Sequence, residues 1–147
     1  MRLLIQRVKR ASVTVNGNDK REIGKGMCVF IGVTHGDDTS KADWLAEKLS
    51  GLRIFEDNDG KINLSLKDVD GEVLLVSQFS LYASCVKGRR PSFTEAAKPD
   101  EAEKLYDYFV EKVKSIGLKK VSCGEFGADM DVEIINEGPL TFIIDSI

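Results

Sequence analysis

The chain has 147 residues, enough for one domain, which we expect to span residues 1–147. Hydrophobic residues make up 42% and charged residues 31%, so the chain can bury a substantial core, and it holds no apolar stretch long enough to cross a membrane as a helix. A net charge of −3 argues against broad, non-specific binding to nucleic acid, although it allows a local basic patch.

The cellular compartment follows from the cysteines and the opening residues. Cys28, Cys85 and Cys123 are odd in number and too far apart for a Cys-x-x-Cys metal site. The first residues turn charged early and lack a long apolar signal region. Reduced thiols in the cytoplasm are the simplest interpretation, so we expect a cytoplasmic protein that does not associate with membranes.

The first half of the chain predicts strands around one helix. Residues 3–15 form a Val- and Ile-rich strand that ends at the Asn16-Gly17 turn signal, and 27–33 is a continuous apolar run typical of a buried strand. A helix is predicted from about Thr39, with Asp38 or Thr39 as its cap. Its apolar positions are Trp44, Leu45, Lys48 through its aliphatic stem, Leu49 and Leu52. Residues 53–56 and 61–64 predict a hairpin around a polar turn.

The second half predicts a strand over 72–79, a long polar connection over 82–98 and a second helix that opens at Pro99 and ends at Gly117. The buried stripe of this helix is predicted to be Ala102, Leu105, Tyr106, Phe109, Val110, Val113 and Ile116. A strand at 119–123, a glycine-containing turn and two strands at 131–135 and 140–144 complete the chain. This order lacks a regular βαβ alternation. It predicts an α+β domain with a mixed or mostly antiparallel sheet that curls toward a barrel and two packed helices.

The last two predicted strands are separated by Gly138 and Pro139. Proline cannot donate to a strand ladder and belongs at an edge, a bulge or a turn. One interpretation is a tight turn that joins two strands. The other is a backbone segment that presents carbonyl oxygens to a ligand.

The residues alone do not assemble a complete catalytic apparatus. His35 is the only histidine, so no zinc set is possible, and Asp68 stands where a calcium loop over 57–68 would need glutamate. No phosphate-binding fingerprint is present, and we expect neither a metal nor a cofactor. Ser77 and Ser80 carry candidate nucleophilic hydroxyls, but they fit equally well as ordinary hydrogen-bonded serines. Cys85 lies in a polar loop without an evident base.

Several motifs together resemble the D-aminoacyl-tRNA deacylases over the whole length. They are Gln6-Arg7-Val8 with Ala11-Ser12-Val13, Gly51-Leu52-Arg53-Ile54-Phe55, Asn63-Leu64-Ser65, Ser77-Gln78-Phe79, Lys87-Gly88-Arg89-Arg90-Pro91-Ser92-Phe93, Gly124-Glu125-Phe126-Gly127-Ala128-Asp129-Met130, and Asn136-x-Gly138-Pro139-x-Thr141. One departure is visible, because the family's motif usually reads Ser-Gln-Phe-Thr-Leu and this chain has Ser80 at the fourth position. The hydroxyl is kept and only a methyl group is lost.

The resemblance implies hydrolysis of the ester that joins a D-amino acid, or glycine mischarged on tRNA-Ala, to the 3′-terminal adenosine of tRNA. It implies proofreading in translation and a homodimer with active sites at the interface. The site residues that it implies fall into three groups. Ser77, Gln78, Phe79 and Ser80 lie at the scissile ester, where the Phe79 N–H stabilises the oxyanion. Gly138 and Pro139, joined by a cis peptide bond and accompanied by Arg7, Asn136 and Thr141, exclude L side chains from the partner's site. Ala102, Phe126 and Met130 hold the adenine.

Lys87, Arg89 and Arg90 are a further candidate for contact with tRNA phosphates, with a solvated charge run as the alternative. Three other readings of the chain stay open. In the first, Ser77 or Ser80 attacks as a nucleophile. In the second, the chain is a non-catalytic module that binds tRNA ends, similar to editing-type domains of some archaeal synthetases. In the third, the chain resembles a related deacylase family that keeps the Gly-Pro bond in trans and admits some L-substrates.

Overall fold

The computed structural model describes residues 1–147, which form eight strands, two α-helices and one turn of 3₁₀ helix. The strands are β1 (Arg2–Val15), β2 (Asp19–Ile23), β3 (Gly26–Gly32), β4 (Phe55–Glu56), β5 (Ile62–Leu64), β6 (Glu72–Ser77), β7 (Lys120–Cys123) and β8 (Met130–Asp145). The helices are α1 (Thr39–Gly51) and α2 (Pro99–Lys114), and the 3₁₀ turn is Phe79–Tyr82. The predicted α+β fold with two helices and a curled, mixed sheet is confirmed.

Strand β1 organises the sheet because it pairs with three others. It runs antiparallel to β3, to β2 and, along most of its length, to β8. Strands β3, β6 and β7 then follow one another in parallel. The sheet curls until β7 approaches β2, where Arg21 Nη1 donates to the carbonyl oxygen of Cys123 at 2.9 Å. The result is nearly a barrel.

The strand β2 was not predicted, and its absence from the prediction has a physical cause. Its sequence, Asp-Lys-Arg-Glu-Ile, carries four charged residues in a row and lacks the alternation that marks a half-buried strand. It forms because the preceding turn fixes it. Asn16 and Gly17 have φ values of 49° and 81°, the left-handed conformation at both central positions of a type I′ turn, and Val15 pairs with Asp19 across this turn.

The core lies on both faces of the sheet. On one face the two helices cover Leu3, Ile5 and the other members of a 22-residue buried cluster. A smaller cluster on the other face includes Val8 and Cys28. Strand β3 is therefore buried on both faces, as its continuous apolar run predicts. Burial raises the pKa of the Cys28 thiol to about 12, so this cysteine stays protonated and packs as a small apolar residue.

The helices match their predicted bounds closely, with one correction to α1. Asp38 caps it by accepting a hydrogen bond from the Lys41 N–H at 3.1 Å. Its fully buried residues are Ala42, Leu45, Ala46 and Leu49. Of the predicted stripe, Trp44 and Leu52 are half-buried and pack against the core, whereas Lys48 is exposed. The prediction lacked the two buried alanines. In α2 the predicted stripe is buried from Ala102 to Val113, and Ile116 lies just after the helix.

Candidate active site

The Ser77–Phe79 segment lies at the carboxyl end of the parallel pair β3 and β6. Strand β6 ends at Ser77, two residues earlier than predicted, although the Gln78 N–H still donates to the carbonyl oxygen of Ile31 at 2.8 Å. The chain then turns into the 3₁₀ helix at Phe79. Gly32, at the end of β3, allows this turn to pack closely, since a Cβ there would lie 3.0 Å from the Cβ of Leu81.

A cavity of about 720 Å³ opens beside this segment and has three walls. The first wall is the end of β6 with Gln78 and Phe79. The second wall is the end of the long connection and the start of α2, and the third is the segment that leads into β8. The lining residues are Val76, Ser77, Gln78, Phe79, Phe93, Ala96, Ala97, Lys98, Pro99, Ala102, Phe126, Gly127, Ala128, Asp129, Met130 and Val132. Ten of these sixteen residues are hydrophobic, so the cavity suits a largely apolar group with a few polar atoms.

The structure brings together two groups of predicted site residues that lie far apart in the sequence. Ser77, Gln78 and Phe79 share the cavity with Ala102, Phe126 and Met130. Ser80 does not line it. Its Oγ instead accepts a hydrogen bond from Gln78 Nε2 at 2.7 Å.

Replacement of Ser80 by alanine is expected to leave the rate of ester hydrolysis within a few-fold of the unmodified chain. The hydroxyl lies outside the cavity and has no base beside it that would activate it. The single-turnover rate of deacylation measures this, with Ser80→Thr as the matched variant that keeps the hydroxyl. A loss of a thousandfold or more in the alanine variant alone would show that Ser80 is the nucleophile.

The third wall depends on Tyr106 and Gly124. The Tyr106 hydroxyl is buried within hydrogen-bond distance of the carbonyl oxygens of Leu75, at 3.2 Å, and Gly124, at 3.0 Å. Burial raises the pKa of Tyr106, so its hydroxyl remains a neutral donor. A Cβ at Gly124 would fall 2.6 Å from the Met130 sulfur, so glycine leaves the space that Met130 occupies. Phe126 packs against the Tyr106 ring with 6.0 Å between centroids.

The second wall shows that the long connection is a built part of the site. Phe93 pairs with Phe79, with 4.8 Å between ring centroids, and both rings are partly exposed. His35 Nε2 lies 2.7 Å from the carbonyl oxygen of Thr94, and the Ala97 N–H donates to the carbonyl oxygen of Val33 at 3.0 Å. His35 therefore contacts the connection and does not line the cavity. Phe93 was missed as a site residue, although an aromatic residue within a polar connection and a family motif was a usable signal.

The prediction of two strands joined by a turn at Gly138-Pro139 is wrong. Strand β8 is continuous, and Asn136 pairs with Val8 while Thr141 pairs with Gln6. Residues 137–140 on β8 therefore face the single residue Arg7 on β1, which makes this segment a bulge. The proline is tolerated because β8 pairs with no strand other than β1. The Gly138–Pro139 peptide bond is cis.

Arg7 is buried against this bulge, with 5% of its surface exposed. Its Nε donates to the carbonyl oxygen of Glu137 at 3.0 Å, and its Nη1 donates to that of Ile54 at 2.8 Å. The carboxylates of Glu56 and Glu137 lie 3.9 and 3.8 Å from the guanidinium. A Cβ at Gly138, where φ is +121°, would lie 2.8 Å from Arg7 Nη2. The guanidinium and the bulge are thus fitted to each other, and the fit requires glycine.

The other predicted residues lie outside the cavity. Asn136 and Thr141 flank the bulge, and Thr141 Oγ1 accepts a hydrogen bond from Gln6 Nε2 at 3.3 Å. Gly138 and Pro139 do not line the cavity of their own chain. Lys87, Arg89 and Arg90 are exposed in the long connection.

The structure holds no group of three or more His, Cys, Asp or Glu side chains placed to bind a metal ion. Asp57 Oδ1 accepts hydrogen bonds from the N–H groups of Asp59 and Lys61, which makes the acidic stretch a hairpin turn. Neither α1 nor α2 has the length and apolar character of a membrane-spanning helix.

Comparison with known proteins gives a consistent result over nearly the whole chain. The family described as D-Tyr-tRNA(Tyr) deacylase matches residues 4–145. A D-aminoacyl-tRNA deacylase of Caldicellulosiruptor saccharolyticus is 55% identical over 146 residues, which cover 99% of this chain and 97% of that protein. One from Bacillus cereus strain G9842 is 54% identical over 99% of both chains.

Two solved structures are similar to this fold. One is described as c-Myc DNA Unwinding Element Binding Protein, with a TM-score of 0.93 and 38% identity over 100% of this chain and 99% of that one. The other is described as a probable eukaryotic D-amino acid tRNA deacylase, with a TM-score of 0.85 over 97% of both chains. At 22% identity the second likeness concerns the fold alone.

Proposed function

The chain belongs to the D-aminoacyl-tRNA deacylases, hydrolases of the aminoacyl-tRNA ester bond, and we propose that its cavity binds the 3′-terminal adenosine with a D-amino acid or glycine attached. The observation that carries this proposal is the common cavity of Ser77–Phe79 with Ala102, Phe126 and Met130. The apolar side chains hold the adenine, and the ester lies against the end of β6.

Catalysis in this proposal depends on the backbone and on positioning. Water attacks the ester carbonyl carbon, the 3′ oxygen of the ribose leaves with a proton, and the products are a free amino acid and an uncharged tRNA end. The N–H of Phe79 opens the 3₁₀ turn and so has no partner within it. It is available to stabilise the oxyanion, a contribution of about 3 kcal/mol for one such donor. The neighbouring 2′-hydroxyl of the ribose is the candidate for moving the proton.

Chiral selection is assigned to the backbone at Gly138 and Pro139 of a second copy of the chain. Two features support this arrangement. These residues do not line the cavity of their own chain, and β8 is a 16-residue strand whose outer edge is unpaired, with Ile135 and Ile143 exposed. Such an edge favours pairing with another chain. Carbonyl oxygens placed there reject an L side chain by collision, and glycine passes because it has no side chain.

The central experiment compares hydrolysis of D-Tyr-tRNA and L-Tyr-tRNA, with Gly-tRNA-Ala as a third substrate. The proposal requires rapid loss of the D-ester and of the glycyl ester and retention of the L-ester. Equal rates for D and L would contradict the filter, and tight tRNA binding without any hydrolysis would favour a binding module. Sedimentation at micromolar concentration tests the dimer. We place the reaction in the cytoplasm, in keeping with three free cysteines and a tRNA substrate.

The basic group Lys87, Arg89 and Arg90 gives a separate prediction. Replacement of all three by alanine is expected to weaken tRNA binding and to reduce the log–log salt slope by roughly one unit per lost phosphate contact. Chiral selectivity should not change, because the proposed filter is backbone. Binding measured across a salt series checks this, with Lys61, Lys67 and Lys104, three other exposed lysines, replaced together as the control. An unchanged slope in the first variant would mean that tRNA approaches elsewhere.

A further inference from the structure

The cavity contains only two charged side chains, and they lie on different walls. Lys98 belongs to the second wall, and Asp129 belongs to the third. Both residues are exposed, and neither takes part in the ion pairs of the chain, which join other residues. An unpaired lysine within an otherwise mostly apolar lining provides the cavity's only positive charge.

The position of Lys98 relative to Ala102 relates this charge to the proposed ligand. The Ala102 N–H donates to the carbonyl oxygen of Lys98 at 2.9 Å, which places the two residues one helical turn apart. Lys98 is the N-cap residue of α2, so it lies at the end of the helix that adjoins the cavity. Ala102 is buried beside the proposed adenine position, and Lys98 lies one turn nearer to solvent.

A terminal adenosine in this cavity has one obligatory negative charge near it, the 5′-phosphate that joins it to the rest of the tRNA. Its 3′ side is occupied by the ester at Ser77–Phe79, so the 5′ side must leave along another wall. The carboxylate of Asp129 disfavours a phosphate at the third wall, whereas an ammonium group favours it at the second. On this basis, and resting on the proposed function, we propose that Lys98 binds the 5′-phosphate of the terminal adenosine and so directs how the nucleotide enters the cavity.

The test uses two small substrates that differ only in that phosphate. They are the 3′-O-D-tyrosyl esters of adenosine and of adenosine 5′-monophosphate. The unmodified chain is expected to favour the phosphorylated ester by roughly three- to tenfold in kcat/KM at low salt, mainly through KM, as fits one partly exposed charge-assisted contact. In Lys98→Ala the two esters should become equal, and in Lys98→Arg the preference should persist. Lys104→Ala, an exposed lysine on α2 outside the lining, is the matched control and should keep the preference.

Equilibrium binding of adenosine 5′-monophosphate and of adenosine provides a second readout that needs no turnover. Tighter binding of the monophosphate that disappears in Lys98→Ala supports the assignment. A phosphate preference that survives in Lys98→Ala, or that is absent from the unmodified chain in both assays, overturns it. Failure of the chain to hydrolyse either ester would contradict the proposed function, and the binding comparison would still decide the role of Lys98.

Discussion

Gly138→Ala is expected to lower kcat/KM for D-aminoacyl-tRNA by about a hundredfold or more, the loss that a displacement of about 1 Å causes in a preorganised site. The added Cβ would lie 2.8 Å from Arg7 Nη2, and φ at this position is +121°, where an L side chain is strained. The guanidinium is held by two carbonyl oxygens and is itself buried, so it has little room to retreat. The bulge must therefore move, and with it the carbonyl oxygens that we assign to the filter.

The control for this variant separates backbone strain from collision. Gly60 has a φ of +73°, and a Cβ there would meet nothing within 4 Å. Gly60→Ala should cost some stability through its left-handed backbone and leave deacylation unchanged. Deacylation rates on D-Tyr-tRNA and L-Tyr-tRNA are measured for both variants. If Gly138→Ala keeps full rate and full chiral selectivity, the bulge does not form part of the site.

Arg7→Met is expected to lower the free energy of unfolding by about 2–4 kcal/mol. Methionine fills much of the same space but leaves two carbonyl oxygens without their donors, that of Ile54 in a buried position and that of Glu137 in a partly buried one. Loss of the positive charge adds little to this cost, because the nearby carboxylates of Glu56 and Glu137 are partly exposed and remain solvated. Chemical denaturation measures the change.

The same strand provides a matched control for Arg7. Arg10 pairs with Glu133 at 2.6 Å, but both side chains are about 60% exposed. Arg10→Met should therefore cost less than about 1 kcal/mol, as exposed ion pairs do. Equal losses for the two variants would show that Arg7 acts only as a surface charge. Arg7→Lys should recover little of the loss, because an ammonium group cannot reach two carbonyl oxygens in a fixed fork.

Local sequence patterns were sufficient to predict the elements whose burial depends on their own residues. The α2 stripe was predicted because its apolar residues recur at helical spacing. Strand β3 was predicted because a continuous apolar run indicates a strand that is buried on both faces. Asp38 and Thr39 were the two candidate caps of α1 on local residues alone, and Asp38 is the one that caps it. Strand β2 was missed because its pairing is imposed by a turn and not by its own charged residues.

The bulge in β8 was not predictable from local residues because its partner is remote. A Gly-Pro pair between two apolar runs fits a turn as well as a bulge. The residue that decides between them is Arg7, which lies 130 positions along the chain from Glu137, its hydrogen-bond partner in the bulge. The cavity could not be predicted from local residues either, because its walls come from distant parts of the chain. Ala102, Phe126 and Met130 look like core residues individually, and the family resemblance was needed to single them out. Lys98 belongs to no recognised motif, and only its position in the cavity wall makes it a candidate.

The continuity of β8 restricts where this protein can change in length during evolution. Met130 in the cavity wall and Gly138 in the bulge belong to one strand, eight residues and about 27 Å apart. An inserted or deleted residue between them would shift the register with β1 and turn every following side chain to the opposite face. The exposed turn at residues 58–60, between β4 and β5 and outside the motifs shared with the family, carries no such constraint. Lineages of this enzyme should therefore differ in length in that turn, while the spacing from Met130 to Gly138 stays fixed.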